Sequence, residues 1–245
     1  MIIWDVTNNY DIKYNINTQY GNSIYSCLMI FPENTENNDE ILLITSSYYA
    51  SKNLDKAATK VYSLKDNNYN LIRYFEKTNK ISVYYLLPWH NKQNNKLYII
   101  QLCDEEILIN NLNEDKLSFE LINKPESQHY SGFIYSKNNV DYLCSSSNNG
   151  YINIWDLYSQ KIYKTFDTNG CQLAHIIEWN KKFFIVADIV NKVFKIIDTE
   201  DESISDFKTD LTEKLICIKK IYHPIHGESL LSAGRNKIIK LWTFE

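Results

Sequence analysis

The chain has 245 residues, 44% of them hydrophobic and 14% aromatic, which is enough apolar material for a sizeable core. A formal net charge of −4, with no long run of Lys and Arg, argues against a nucleic-acid-binding surface. No apolar run approaches the roughly 20 residues of a membrane span, no secretory signal opens the chain, and five cysteines without a Cys-x-x-Cys pair fit free thiols, so an intracellular, cytoplasmic protein is expected.

Taken in order, the apolar runs are short, bounded by polar turns, and follow a period of two. No 3.6-residue pattern persists, so the chain reads as all-β. After a strand over 10–16, four sets of four strands follow. They cover 24–31, 41–47, 59–64 and 69–75; then 81–87, 96–103, 107–112 and 116–122. The third set covers 130–135, 141–146, 151–157 and 161–166, and the fourth 173–178, 182–188, 193–198 and 204–208. A last set has only three, over 215–222, 229–233 and 238–244. Strands of one set are denoted a, b, c and d.

The sets repeat. Trp4, Tyr62, Asn110, Trp155, Ile197 and Trp242 hold one landmark near the end of strand c, at intervals of 42 to 58 residues. Six residues before it stand Asp104, Asn149, Asn191 and Asn236. The turn after strand a recurs on nearly the same period, at 31–34, 88–91, 136–139, 179–181 and 223–227. A module of about 45 residues is the scale of one four-stranded propeller blade. The last set lacks strand d, and the N-terminal strand 10–16 would complete it and cover an open edge. Trp4 and Asp5, however, read as the tail of another strand c. A ring of five blades closed by residues 10–16 is one expected arrangement of the 1–245 domain, and part of a larger ring is the alternative.

Residues 143–156 carry two serines (Ser145 and Ser147), an amide turn, a glycine (Gly150), an alternating strand and Trp155 followed by Asp156. Residues 231–242 repeat much of this and end on Trp242. In these features the chain resembles the WD-repeat β-propellers, with divergent repeats: it has no Gly-His dipeptide and only six glycines. The resemblance implies about five four-stranded blades. It also implies a blade-holding network in which the strand c Trp meets a strand b Ser, a b–c turn carboxylate and a d–a loop His. Carried over to the third unit, these are Trp155, Ser145 or Ser147, Asn149 and His129, with Trp242 matching Trp155 in the last unit. Asn149 lacks the charge of a carboxylate, so a weaker network is expected.

The residues with chemical potential read as turns and core. His223 and His226 lie close in sequence, but a metal site needs further ligands and none is near. His175 sits in an apolar strand and reads as a core histidine. The serines 145–147 lack a nucleophile-elbow pattern, and the acidic run 104–106 fits a solvated turn. Trp89 and Trp179 occupy matching turns, either exposed as anchors or packed against the neighbouring turn. No cofactor or metal requirement is evident.

The face such propellers most often use carries the d–a and b–c loops. Here it includes Tyr48, Tyr49, Lys52, Asp104, Asn148, Arg235 and Lys237. Arg and Tyr make strong interface contacts. The expected function is a non-catalytic scaffold that presents these loops to a peptide or protein partner, with Arg235 meeting an acidic group. An enzyme acting on a small molecule in a central opening, and a fragment of a larger propeller, are the alternative readings.

Overall fold

The computed structural model describes residues 1–5, 11–16, 24–30, 41–47, 58–65, 68–76, 82–114, 117–122, 127–209, 214–235 and 237–243. Every element among them is a β-strand. The chain divides into two compact units, Met1–Asp104 with Leu108–Glu120, and Glu105–Ile107 with Leu121–Glu245.

In the first unit, β1 (Ile2–Asp5) and β2 (Asp11–Asn15) form a two-stranded sheet. A four-stranded sheet follows, β3 (Ile24–Ile30), β4 (Ile41–Ser47), β5 (Ala58–Lys65) and β6 (Asn68–Glu76), in sequential antiparallel order. The next four-stranded sheet has β7 (Val83–Asn91), β8 (Lys96–Cys103), β9 (Glu106–Asn111) and β10 (Leu117–Ile122), again in sequential order.

The second unit repeats the plan. Its first sheet is β11 (His129–Lys137), β12 (Val140–Ser147), β13 (Tyr151–Asp156) and β14 (Lys161–Asp167). Its second is β15 (Leu173–Trp179), β16 (Phe183–Asp188), β17 (Val193–Asp198) and β18 (Ile204–Lys208). The last has three strands, β19 (Leu215–His223), β20 (Gly227–Gly234) and β21 (Ile239–Thr243).

The five large sheets match the predicted sets strand for strand, and the burial pattern explains why. Strands b and c are covered on both faces: Leu143 to Ser147 and Ile152 to Trp155 are all buried. Such strands read as continuous apolar or small runs. Strand d is the outer edge, and in β18 four of five residues are exposed. Facing sheets pack through apolar clusters. Ile44, Val61 and Phe75 meet Val83, Leu86 and Ile99 in the first unit. Cys144, Ile152 and Phe166 meet Ile176, Phe184 and Val186 in the second, where Ala174, Ile185 and Phe194 also meet Leu215, Ile218 and Leu230.

Among the described residues, β2 pairs with β1 in a two-stranded sheet of the first unit. Met1 and Ile16 exchange backbone hydrogen bonds at 2.7 and 2.8 Å, and Tyr14 and Ile16 bury against Leu43, Tyr62 and Leu64. Burial against the first four-stranded sheet, beside a partner adjacent in sequence, holds the strand there. One expectation needs correction: residues 88–91 continue strand β7 rather than turn, and the turn falls at 92–95. Because β7 is an edge strand, Pro88 can lack its N–H without breaking a ladder.

One repeated feature carries no sequence mark. All five a strands have a register shift at the same place, between Ile24 and Ser26, Val83 and Tyr85, His129 and Ser131, Leu173 and Ile176, and Leu215 and Cys217. The bulge turns a backbone carbonyl out of its own ladder. In the first unit the Ser46 hydroxyl donates to the Val83 carbonyl of the following sheet at 3.2 Å. In the second the Ser146 hydroxyl does the same to Ala174 at 2.5 Å. The return bond runs from the Leu86 N–H to Ser26 Oγ at 3.3 Å, and from the Ile176 N–H to Ser131 Oγ at 3.4 Å. These bonds fix the spacing of neighbouring sheets where apolar contacts alone would let them slide.

Candidate functional site

The strand c landmark occupies one structural position. Tyr62, Trp155, Ile197 and Trp242 pair with Leu43, Leu143, Phe184 and Leu230 of the preceding strand. Two residues further along strand b stand Thr45, Ser145, Val186 and Ser232. Trp155 donates its indole N–H to Ser145 Oγ at 3.1 Å, and Trp242 donates to Ser232 Oγ at 2.7 Å. In the second sheet two amides replace this pair: Gln101 Nε2 donates to Asn110 Oδ1 at 2.7 Å, and Thr59 donates to Gln101 Oε1 at 2.5 Å. In the fourth sheet the position is apolar.

The four-member network implied by resemblance is divided. Ser145 serves Trp155, while the single Ser147 hydroxyl proton is shared between Asn149 Oδ1 at 2.6 Å and the Tyr151 carbonyl at 2.7 Å. His129 is fully buried and lies across the ladder from Ser147, yet neither ring nitrogen has a hydrogen-bond partner. Desolvation lowers the His129 pKa to about 4 and keeps the ring neutral.

The Asp after the landmark Trp has a local task. Asp156 Oδ1 accepts from the N–H groups of Tyr158 and Ser159, Asp198 Oδ1 from Glu200 and Asp201, and Asn111 Oδ1 from Asn113. Each closes an Asx turn between strands c and d. The b–c turn amides act likewise: Asn191 donates to Asp188 Oδ2 at 2.8 Å, while Asn236 is outside the described residues.

On the loop face, Tyr48, Tyr49 and Lys52 also fall outside the described residues. Asp104 caps the start of strand a, accepting from the Ser82 N–H at 3.0 Å and the Tyr84 hydroxyl at 2.8 Å. Asn148 is tied to Gln128 by two side-chain bonds. Arg235 and Lys237 share the exposed b–c turn of the last sheet, with Lys237 at φ 61°. The Arg235 backbone N–H is anchored on the Lys214 carbonyl at 3.1 Å, and no described residue pairs with its guanidinium.

The remaining candidates are structural. The His223 ring accepts the N–H groups of Ile225 and His226 and so caps its own turn. Trp89 is buried against Tyr98, ring centroids 5.1 Å apart, and Trp179 is buried with Lys220 Nζ 5.2 Å from its ring centroid. The packed alternative therefore holds for both. His175 is only half-buried, lies 3.9 Å from Cys217 Sγ, and has its pKa lowered to about 4, chiefly by desolvation. Among the described residues no three His, Cys, Asp or Glu side chains cluster as metal ligands. All five cysteines are free thiols. Among the described residues no helix is long and apolar enough to cross a membrane.

Sequence reasoning missed a cleft of about 500 Å³ between the first two sheets of the second unit. Tyr135, Tyr142, Tyr163 and Phe184 wall it, and Glu178, Lys164 and Glu202 bring charge. Its one sequence signal is the carboxylate of Glu178 in the otherwise apolar strand β15.

No protein-family model and no curated protein matches the chain. Solved structures do: 1080 chains match. One is the crystal structure of the WD40 beta propeller domain of Doa1, with a TM-score of 0.60 at 13% sequence identity. The match covers 83% of this chain and 61% of that one, so this chain spans under two thirds of its length. Repeated antiparallel sheets, the shared strand c landmark and this likeness together give the fold: a β-propeller of WD40 type built from five blades.

Proposed function

We propose that the chain is a divergent WD-repeat protein, a single domain that acts as a non-catalytic scaffold and presents its b–c and d–a loops to a peptide or protein partner. The observation that supports this best is Arg235. It follows the last residue of β20, its backbone is anchored, and its exposed guanidinium has no described partner. A planar fork of donors held in that way suits a carboxylate on the partner. Lys237 on the same turn adds positive charge, and Tyr48, Tyr49 and Lys52 belong to the same proposed surface. Rigid sheets carrying loops are suited to recognition. Fold likeness supports the class of function and leaves the partner to experiment.

The test is a display selection of acidic peptides against the full chain, followed by measured affinities. Arg235→Ala should weaken the selected peptide about tenfold, with loss of a charge-assisted contact. Tyr49→Ala should weaken it as well. Selected peptides that bind both variants as tightly as the parent would overturn the reading.

A further inference from the structure

The third and fourth blades open a cleft at the end that carries the a–b and c–d turns, away from the Arg235 turn. Its wall is an aromatic series. Tyr135 stacks on Tyr142 at 5.4 Å with an interplanar angle of 24°. Tyr142 meets Tyr163 at 5.0 Å, and Tyr135 meets Phe184 at 5.7 Å. Into this wall comes Glu178. It lies two residues beyond Ile176 on β15, so it shares the face that packs on the third blade. The carboxylate is half-buried and has no hydrogen bond or ion pair among the described residues. A half-buried charge that lacks a partner is costly.

The neighbouring interface shows what completes such a site. Lys220 occupies the position equivalent to Glu178: each stands two residues past the residue, Ile218 or Ile176, that pairs with the Ser232 or Val186 position. Lys220 Nζ lies 5.2 Å from the Trp179 ring centroid and 2.6 Å from Glu228. Cation, ring and carboxylate are thus all present between the fourth and fifth blades. Between the third and fourth, rings and carboxylate are present and the matching cation is not. Lys164 is committed to Glu202 at 2.5 Å and lies over Phe166. Lys137 at the end of β11 and Lys181 in the turn before β16 are exposed at the rim, with no described partner.

We propose that this cleft receives an arginine side chain from a partner peptide whose flanking residues are acidic. The guanidinium pairs with Glu178 and stacks on the tyrosine faces, the geometry that suits arginine. The rim lysines Lys137 and Lys181 take the flanking carboxylates and discriminate against basic segments. A volume of about 500 Å³ is within the range of ligand pockets and leaves room for the side chain with its backbone.

The experiment titrates the full chain with acetyl-Asp-Arg-Asp-amide, followed by tyrosine fluorescence and by NMR of the tyrosine rings. The control peptide carries citrulline, a neutral isostere, in place of arginine. Saturable binding is expected for the arginine peptide, weaker by about tenfold or more for citrulline and for Glu178→Gln. Glu178→Gln keeps the side chain's shape and removes the unpaired charge, so its melting temperature should be at or above the parent value. If it is lower, Tyr163→Leu, at a side chain 63% exposed, carries the test and should weaken binding several-fold. Equal affinity for arginine and citrulline, parent-like binding by Glu178→Gln, or no saturable binding at about 10 mM peptide would overturn the proposal.

Discussion

The hydroxyl of Ser146 donates to the carbonyl of Ala174 in the next blade at 2.5 Å, and the same hydroxyl also reaches the Ser131 carbonyl of its own blade at 3.3 Å. Ser46 repeats both bonds in the first unit, to Val83 at 3.2 Å and Ser26 at 3.5 Å. Both serines are fully buried, so no solvent replaces the bond once it is lost. Ser146→Ala should therefore cost about 1–3 kcal/mol, the range for leaving a buried polar group unsatisfied. Urea denaturation should show a lower midpoint with an unchanged slope.

Trp155 combines apolar burial with one committed donor. It is 2% exposed and bonds Ser145. Trp155→Ala should cost about 3–5 kcal/mol, a large share of the stability of an ordinary domain. Ser145→Ala strands the indole N–H and should cost about 1–3 kcal/mol. Calorimetric melting of the two variants measures both; an unchanged melting temperature for Trp155→Ala would contradict the packing described.

Gly150 turns strand b into strand c at φ 89°, and a Cβ there would stand 2.8 Å from the Cys171 backbone N and 2.9 Å from that of Gly170. Backbone cannot give way as a flexible side chain can. Gly150→Ala should therefore cost about 2 kcal/mol or more, from left-handed strain and this clash together. Gly227, also at positive φ, has open space around its Cβ position. Gly227→Ala should cost only the conformational part, about 1 kcal/mol. Comparing the two by denaturation separates strain from contact.

Burial lowers the His129 pKa from 6.5 to about 4, so the folded state favours the neutral ring. Below pH 6.5 the unfolded chain takes up the proton first. Stability is thus complete above that value, falls as the pH drops toward 4, and levels off below. The difference amounts to about 3 kcal/mol. His175, lowered in the same direction, adds a loss of the same sign. His129→Gln should flatten the slope of stability between pH 6 and 5, above the range in which ordinary carboxylates titrate. Denaturation midpoints across that range provide the check.

The strands were legible because each has a strong local pattern. Tyr151 to Asp156 alternates cleanly, and the landmark Trp, Tyr or Ile recurs where strand c meets the same strand b position. The bulges were not legible, since residues as different as Val83, His129 and Leu215 precede them; they arise from how sheets meet. Trp89 was misplaced because Pro88 signals a turn, and only sheet order reveals that an edge strand tolerates it. His129 could be placed beside Ser147 by resemblance, but the direction of a hydroxyl proton is set by neighbours in space. Glu178 was visible as a charge in an apolar run. Its aromatic surroundings were not, because Tyr135 and Tyr142 come from the preceding repeat.

The central claim is that, within each unit, neighbouring sheets stack as equivalent modules, the first pinned to the second and the third to the fourth through the bulge of strand a. Hydrogen exchange resolved to single amides tests it most directly. The N–H groups of Leu86 and Ile176 cross to the serines of the preceding blade, so both should exchange as slowly as interior ladder amides, and Ser131→Ala should speed Ile176 selectively. Exchange of both at the rate of exposed turn amides, indifferent to Ser131→Ala, would contradict the stacking.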